Sequence, residues 1–413
     1  MVLDLRPNRT LTQPSSIGWE KETAPLARRG LMGYSPDMLY FDHNATTPLL
    51  PEARDAWLEA AEKFVGNPSS PHRVGSRADM LLQTARVKLG NILGGDALDI
   101  VWTSGATESN NMVLHHFSRA LARDARVWIS AIEHPCVMNA AKHYFGKRCR
   151  FIPVHRSGVI DLEWVHDHLA KESPGLVAVM AANNETGILQ PWEHLAEFCG
   201  EHGVPFFCDA AQWLGKLPSH GLGACDFVSG CAHKFGGPKG VGFLKVSGRF
   251  QALLFGGQQE EGRRPGTENV PAVAAMIAAL EARERNFAGN AQAVRLRWRK
   301  NFENELAKRV PVTIVGQQEE RLWNTVSVVM PEADCQQRWV VKMDRQGYAV
   351  STGSACASGK ETPSHVLSAM GYTTSEAGRV LRFSSGWETT EGDWNSLMEG
   401  ISQVTAQLER SVT

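Results

Sequence analysis

The chain has 413 residues, of which 43% are hydrophobic and 21% are charged, and these are the fractions of an ordinary globular protein. A formal net charge of -1 excludes strong electrostatic attraction to nucleic acid or to an anionic membrane, so we expect a small-molecule substrate. The eight cysteines show neither Cys-x-x-Cys pairs nor zinc spacing, and no apolar run reaches the roughly 20 residues of a membrane span. We therefore expect reduced thiols, no metal site and a cytoplasmic protein.

The first part of the chain predicts a lead-in followed by an alternating fold. Residues 1–36 lack hydrophobic periodicity, which favours a flexible N-terminal segment over a transit peptide. Seven predicted strands cover 100–103, 127–130, 151–154, 176–181, 205–208, 227–229 and 241–245. Predicted helices cover 76–93, 109–122, 161–171 and 191–202. This alternation predicts an α/β fold with a large, mostly parallel seven-stranded sheet, whose ligands gather beyond the carboxyl ends of the strands.

The remaining sequence predicts a second, smaller unit. A helix begins near residue 271, and the helical pattern over 294–310 bridges to an α+β arrangement. Its predicted strands cover 311–315, 324–329 and 380–384, and its predicted helices cover 336–346, 364–369 and 390–408. We therefore expect a large domain over 44–291 and a small domain formed by 37–43 together with 292–413.

A lysine stands between an apolar run and a glycine-rich exit in Cys231-Ala-His-Lys-Phe-Gly-Gly-Pro-Lys-Gly. Upstream, Phe207-Cys-Asp-Ala-Ala-Gln ends another apolar run. A lysine that forms a Schiff base with pyridoxal phosphate (PLP), together with an acid that keeps the pyridine nitrogen protonated, is the minimum equipment for PLP chemistry. We predict these roles for Lys234 and Asp209, and a solvated loop is the alternative interpretation of the isolated lysine motif.

The segment Thr103-Ser-Gly-Ala-Thr-Glu-Ser-Asn-Asn follows a predicted strand and opens a helix. Free backbone N–H groups and the helix dipole at such a position can hold a phosphate, helped here by the Thr107 hydroxyl. An ordinary N-capping loop is the alternative.

Three polar side chains follow other predicted strands. His134, in Glu133-His134, can stack on a planar ring and relay a proton. Asn184 follows the strand at 176–181 and Gln212 lies one turn beyond Asp209, so their amides can reach a ring hydroxyl or a substrate carboxylate. A structural histidine and turn-forming asparagines are the alternatives.

Two candidates lie in the predicted small domain. Cys356 stands in Ser351-Thr-Gly-Ser-Ala-Cys-Ala-Ser-Gly, a loop of small residues, where a free thiol is a candidate sulfur acceptor. Arg382 lies in a predicted strand, where a charged side chain needs a partner such as a substrate carboxylate. An inert cysteine and a structural salt bridge are the alternatives.

Taken together, these segments resemble the cysteine desulfurases of the NifS/IscS type, class-V aminotransferase relatives with the PLP-dependent, aspartate aminotransferase-like fold type I. The similarity runs from about residue 39 to the C-terminus. It is carried by the motifs above and by Phe41-Asp-His-Asn-Ala-Thr-Thr-Pro, Gly66-Asn-Pro-Ser-Ser-Pro-His, Asn183 to Gly187 and Gly262-Arg-Arg-Pro-Gly-Thr-Glu-Asn.

The resemblance implies a role for each candidate. Lys234 carries the cofactor, Asp209 holds its ring nitrogen and His134 stacks on the ring. Further cofactor-binding residues implied in this way are Gln212 and Asn184 at the ring hydroxyl, Ala106, Thr107, Cys231 and His233 around the phosphate, and Thr267, which reaches the phosphate of the neighbouring subunit of a homodimer. Arg382, with Asn184, binds the substrate carboxylate, and Cys356 carries a persulfide.

The implied reaction converts L-cysteine to L-alanine and leaves the sulfur on Cys356. The short spacing from Cys356 to Pro363-Ser-His-Val-Leu is typical of desulfurases with a long cysteine loop, which hand sulfur directly to a partner protein. The expected partners are therefore a second copy of the chain and a sulfur-acceptor protein for iron–sulfur cluster assembly or for another route such as tRNA thiolation.

Two departures from the family pattern stand out. Cys231 replaces the usual phosphate-binding serine, and a thiol is the poorer hydrogen-bond donor, so weaker cofactor binding is expected. In Gly256-Gly-Gln-Gln-Glu-Glu-Gly, Gln258 replaces a glycine and Glu261 replaces an arginine near the expected dimer contact. The alternative functions are a selenocysteine lyase, another fold type I lyase or aminotransferase, and a PLP-fold scaffold without catalysis that serves partner assembly.

Overall fold

The computed structural model of the chain describes residues 38–332, 336–353 and 363–410. Twelve strands are present in this part: β1 Leu39–Tyr40, β2 Ile100–Thr103, β3 Val127–Ser130, β4 Cys149–Ile152, β5 Leu176–Ala178, β6 Phe206–Asp209, β7 Phe227–Cys231, β8 Gly242–Val246, β9 Thr313–Ile314, β10 Thr325–Val329, β11 Tyr348–Ala349 and β12 Val380–Ser384.

The same described part contains twelve α-helices. They are α1 Pro51–Lys63, α2 Arg73–Leu93, α3 Ala106–Ala120, α4 Pro135–Phe145, α5 Leu162–Leu169, α6 Trp192–Glu201, α7 Val270–Arg285, α8 Ala291–Arg309, α9 Gln336–Arg345, α10 His365–Ala369, α11 Thr374–Ala377 and α12 Glu391–Arg410. In the described residues, no helix combines the length and the hydropathy needed to cross a membrane.

Seven strands form one sheet in the order β2-β8-β7-β6-β5-β3-β4, which confirms the predicted α/β fold with a mostly parallel seven-stranded sheet. Neighbours from β7 to β4 are parallel, whereas β8 runs antiparallel to both β7 and β2. Gly242 of β8 pairs with both Thr103 and Cys231, so β2 and β7 end at the same edge of the sheet. Beyond this edge lie the loops that carry most of the predicted site.

Helices cover both faces of this sheet because successive strand residues point to opposite sides. On one face, Trp102, Trp128 and Phe206 pack in a core cluster with apolar residues of α2, α6 and α7. On the other face, Val101 and Phe207 pack with apolar residues of α3 and α4. The strands read as continuous apolar runs in the sequence because neither face meets water.

The remaining strands form two small sheets. The order β12-β10-β9 is antiparallel throughout, and β1 pairs in parallel with β11. A separate core cluster joins β1, β10, β11 and β12 to α8, α9 and α12, and Phe41 near the start of the described chain belongs to it. Phe41 thus packs with elements from the last part of the chain, and the division into a large domain over 44–291 and a small domain of 37–43 with 292–413 stays a prediction.

Most predicted elements exist, and their limits differ by a few residues. Strand β5 ends at Ala178 rather than at residue 181, although the N–H groups of Val179 and Ala181 still donate to carbonyls of Phe207 and Asp209. The sequence reasoning missed α1, α4 and the short elements β1, β11 and α11. Helices α1 and α4 each begin with a proline at the first turn, which is a helix-start signal that periodicity alone does not reveal.

Candidate active site

A cavity of about 1000 Å³ opens at the carboxyl edge of the seven-stranded sheet. Ten of the twelve predicted site residues line it: Ala106, Thr107, His134, Asn184, Asp209, Gln212, Cys231, His233, Lys234 and Arg382. The other two are not among the lining residues, since Thr267 is exposed elsewhere and Cys356 lies outside the described residues. Gly353 and Pro363 flank the undescribed segment, and Pro363 lines the cavity.

Lys234 ends a single 3-10 turn, Ala232–Lys234, which follows β7 directly. Its Nζ donates to the carbonyl oxygens of Asn44 at 2.6 Å and Ala45 at 3.0 Å. Gly236, at φ 97°, then turns the chain in a conformation that favours glycine. Burial lowers the pKa of the Lys234 amine, and the positive charge of Arg382 lowers it further, while the negative charges of Asp42 and Asp209 oppose the shift. A buried amine of lowered pKa is suited to act as a nucleophile and as a base.

Asp209 is the last residue of β6, and its carboxylate is buried at the cavity wall. One carboxylate oxygen accepts from Asn110 Nδ2 at 2.7 Å, and the other accepts from the backbone N–H of Ala211 at 2.9 Å. Both donors fix the carboxylate in place. Asn110 was not predicted as a site residue, although it stands in the motif that opens α3.

His134 caps the N-terminus of α4. Its Nδ1 accepts from the backbone N–H of Cys136 at 3.2 Å, so the neutral ring carries its proton on Nε2. Burial lowers the pKa of His134, Asp209 opposes the shift, and Lys234 adds to it, which favours the neutral ring.

Cys136 also lines the cavity and was missed by sequence reasoning, because a cysteine at the start of a helix carries no signal of its own. Its Sγ lies 2.9 Å from His134 Nδ1. Burial raises the pKa of this thiol to about 12, so it is a neutral group in the cavity wall.

The N-terminus of α3 faces the cavity without a side-chain cap. Its N-cap is Gly105, at φ 148°, and Ala106 and Thr107 begin the helix. Backbone N–H groups at such a terminus, with the helix dipole, bind anions.

His233 lies at the same end of the cavity, where its Nδ1 is 3.3 Å from Thr46 Oγ1. Burial, together with the positive charges of Lys234 and Lys239, lowers the pKa of His233 to about 4, so the ring is a neutral hydrogen-bonding group. Burial likewise raises the pKa of Cys231 to about 11, so this residue presents a neutral thiol where the family has a serine hydroxyl.

Gln212 lies at the floor of the cavity and is buried. Its Nε2 donates to the carbonyl oxygen of Asn44 at 2.9 Å, which is the oxygen that also accepts from Lys234. Its Oε1 accepts from the amine of Lys216. Neither Asn44 nor Lys216 was predicted as a site residue, because they are distant in sequence and only the fold brings them together.

Arg382 lies in β12 with only 1% of its surface exposed. Its guanidinium pairs with Asp42 Oδ1 at 2.6 Å and donates to the carbonyls of Asn184 at 2.9 Å and Gly353 at 3.2 Å. The structural salt bridge weighed from the sequence is therefore present. Within the described chain, Arg382 Nε has no hydrogen-bond partner, so the guanidinium retains one donor while it reaches the cavity.

These residues fit the PLP that the sequence resemblance implies. The uncapped N-terminus of α3 would hold a phosphate, the Lys234 amine would hold an aldehyde, and Asp209 would face a ring nitrogen. Bound PLP supplies an electron sink for a carbanion at the substrate α-carbon.

Comparison with known proteins places the chain in a family. The model of the class-V aminotransferase family matches residues 39–397. A cysteine desulfurase of Cereibacter sphaeroides is 37% identical over 380 residues, which cover 90% of this chain and 97% of the relative.

Two solved structures share the fold. A NifS-like protein from Rickettsia africae superposes with a TM-score of 0.80 at 31% identity, covering 89% of this chain and 99% of that one. The structure described as SspA in complex with cysteine superposes with a TM-score of 0.72 at 29% identity, covering 84% and 98%. The chain therefore belongs to the class-V aminotransferase family and, within it, to the cysteine desulfurases.

Proposed function

We propose that this chain uses PLP to convert L-cysteine to L-alanine and passes the sulfur through Cys356 to an acceptor protein. The observation that carries the proposal is the meeting, in one cavity, of a buried lysine amine, a buried carboxylate and an uncapped helix N-terminus. Enzymes of this family are PLP-dependent, and the cysteine bound to the SspA relative supports the same substrate here.

Lys234, Asp209 and His134 have separate roles in the proposed reaction. Lys234 holds the cofactor and, once the substrate amine has displaced it, takes the proton from the substrate α-carbon, for which its lowered pKa suits it. Asp209 holds the ring nitrogen in its protonated form. His134, with its proton on Nε2, stacks on the ring and donates into the cavity.

Arg382 orients the substrate through its carboxylate. The Asp42 carboxylate already pairs with the guanidinium, so the substrate either shares Arg382 through its free Nε or displaces Asp42. Either arrangement places the substrate between β12 and the edge of the seven-stranded sheet.

The sulfur step balances without a further reagent. The Cys356 thiolate attacks the substrate sulfur, a sulfur–sulfur bond forms, and the carbon–sulfur bond of the substrate breaks. The electron pair of that bond stays on the substrate carbon, which takes up a proton and becomes the methyl group of L-alanine. The acceptor thiol then removes the outer sulfur from Cys356 and feeds iron–sulfur cluster assembly or another sulfur pathway.

Two measurements test the proposal. Borohydride reduction of the purified holoenzyme followed by peptide mapping is expected to find a pyridoxyl adduct on Lys234. Cys356→Ser is expected to keep the visible absorbance of the cofactor but to lose dithiothreitol-dependent sulfide release. Cys149→Ser, which removes a thiol of strand β4, is the matched control. An adduct elsewhere, or undiminished sulfide release from Cys356→Ser, would contradict the proposal.

The same proposal includes a homodimer in which Thr267 reaches the phosphate of the neighbouring subunit. Thr267 is exposed, and Phe255, which is 96% exposed, lies upstream on the same connecting segment. Thr267→Val is expected to weaken PLP binding, and mixing it with Lys234→Ala is expected to restore one site per mixed dimer. A light-scattering measurement that finds only monomers would contradict the proposed homodimer.

A further inference from the structure

Lys216 is a buried lysine beside the cavity that the proposed function does not use. It lies in the segment between β6 and β7, is 4% exposed, and its carbonyl accepts from Trp323 Nε1 at 2.7 Å. Its amine donates to two uncharged oxygens, Asn44 Oδ1 at 3.1 Å and Gln212 Oε1. Burying a lysine amine against amide oxygens costs desolvation free energy when the protein folds. We therefore look for a role of Lys216 in the adjoining site.

The Lys216 amine determines which way the Gln212 amide points. Because the amine donates to Oε1, Nε2 faces the opposite side, where it donates to the carbonyl oxygen of Asn44. Lys234 donates to that same oxygen at 2.6 Å. The N–H donors of Gln212 are therefore turned toward the amine that holds the cofactor in the proposed function.

Asn44 holds the two lysines in one network. Its Oδ1 accepts from Lys216 and from Asn324 Nδ2 at 3.2 Å, while its Nδ2 donates to Thr325 Oγ1 at 2.9 Å. Both amides are thus fixed by several partners, and the Lys216 amine is the partner that orients the Gln212 oxygen.

We propose that Lys216 is a positioning residue of the desulfurase reaction, which holds the Gln212 amide so that its N–H donors face the cofactor oxygen beside Lys234. The inference rests on the proposed function, because it takes Lys234 as the cofactor lysine. Lys216 makes this hydrogen bond whether its amine is protonated or neutral, since both forms carry N–H donors.

Charged groups from several elements determine the electrostatic environment of the Lys216 and Lys234 amines. Burial lowers the pKa of Lys216 well below its usual value, and the positive charges of Lys234 and Arg382 lower it further. The titratable and charged groups that face the two lysines are Asp42, His43, His134, Asp209, Cys231, His233 and Arg382, with Arg283 and Glu388 paired to each other beside His43.

The test is a pH titration of the visible absorbance of the cofactor in the holoenzyme. Without Lys216 the Gln212 amide is free to turn, the cofactor oxygen loses a donor, and its greater negative charge holds the neighbouring proton on the Lys234 nitrogen more tightly. Lys216→Met is therefore expected to raise the midpoint of this absorbance titration by about one pH unit. A shift of that size corresponds to the free energy of one hydrogen bond to an ionised group. The substitution is also expected to lower kcat about tenfold with little change in KM.

A double-mutant cycle separates this role from a general structural one. Gln212→Leu is expected to shift the midpoint by the same amount, and Lys216→Met is expected to add nothing in that background. Lys216→Gln, which keeps an N–H donor, is expected to restore the midpoint. The control Lys245→Met removes another buried lysine, which bonds the carbonyl of Cys225 outside the cavity, and should leave the midpoint unchanged.

The outcomes distinguish the inference from the proposed function. If borohydride places the adduct on Lys234 in both wild type and Lys216→Met but their midpoints agree, the inference is overturned and the proposed function stands. If the adduct lies elsewhere, the proposed function itself fails. Should Lys216→Met not fold, a crystal structure of the wild-type holoenzyme decides: Lys216 on Gln212 Oε1 with Nε2 toward the cofactor supports the inference, and Lys216 turned away overturns it.

Discussion

Two buried polar clusters in this protein hold their positive charges in different ways. The arginine–glutamate cluster, formed by Arg299, Glu303 and Arg321, pairs its cations with a carboxylate: Arg321 lies 2.8 Å and Arg299 3.8 Å from Glu303. The amine cluster, formed by Lys216 and Lys234 with Asn44 and Gln212, holds its amines on neutral amide and carbonyl oxygens. In the first cluster one carboxylate contacts both cations, whereas in the second, within the described residues, the hydrogen bonds of the two amines go to uncharged oxygens.

The two clusters also differ in what sets the pKa values of their cations. Burial lowers the pKa of Arg299 to about 10, but Glu303 opposes the shift and the guanidinium stays charged. In the amine cluster, burial and neighbouring cations together lower the pKa of both lysines. Lowered amine pKa values are what nucleophilic and base catalysis require.

The largest expected effect concerns Lys234. Lys234→Ala is expected to remove the visible absorbance of bound cofactor and to reduce alanine formation by at least about a thousandfold, because no other amine takes its place. Absorbance spectra and an alanine assay measure this, with Lys245→Ala as the buried-lysine control. Residual activity within about tenfold of wild type would mean that the amine cluster is not the reactive site.

Glu303 tests the structural cluster. Glu303→Gln leaves two buried arginines without a carboxylate and is expected to lower the free energy of unfolding by about 3–5 kcal/mol. Urea denaturation of the apoprotein measures the loss, while the absorbance of the folded holoenzyme should not change. Glu305→Gln, a change at a half-buried glutamate of the same helix that pairs with Lys308, serves as the control. Equal stabilities of the two variants would remove the distinction between the clusters.

Asp209 tests the electrostatics of the cavity. Asp209→Asn keeps the size of the side chain but removes the negative charge that would face the ring nitrogen, so kcat/KM is expected to fall about a hundredfold. The matched change is Asp226→Asn, where the carboxylate accepts from the backbone N–H of Phe206 away from the cavity. An undiminished rate for Asp209→Asn would show that the ring nitrogen needs no acid here.

The smallest expected effect is a pH dependence of stability at His43, which adjoins the amine cluster. Burial lowers the pKa of His43 to about 4, against about 6.5 in an unfolded chain. The unfolded chain therefore binds a proton first, and stability is lost at about 1.4 kcal/mol per pH unit as the pH falls from about 6.5 to about 4.

Urea denaturation of wild type and His43→Gln at pH 7 and at pH 5.5 measures this slope. The variant is expected to lose less stability between the two pH values, with exposed His143→Gln as the control. If the free energy of unfolding changes equally with pH in wild type and His43→Gln, the pH dependence does not come from His43.

Sequence reasoning succeeded where the chemistry is local. The strand–turn–helix order around Thr103 predicted a helix start able to hold a phosphate, and Asp209 and Lys234 each stand near the end of an apolar run that became a strand. The parallel sheet then brings these ends to one edge, which is why the sequence motifs and the cavity coincide.

Sequence reasoning failed where the interacting residues are brought together only by the tertiary structure. Asn44 precedes the first helix and Lys216 lies between two strands, so neither shows a signal of catalysis, yet they fix the orientation of Gln212. Likewise, the pairing of Arg382 with Asp42 joins residues 340 positions apart. Helices α1 and α4 were missed although each begins with a proline in its first turn, which is a helix-start signal.

The order of apolar runs and the residues at their ends, which act through short-range backbone geometry, were enough to determine the sheet, the cavity edge and the chemistry expected there. Tertiary packing decided the rest: which amines remain without a carboxylate, which way each amide points and how far each pKa moves. Those quantities depend on burial and on charges contributed by distant segments. The distances between such side chains are set by the tertiary structure and cannot be read from the order of residues.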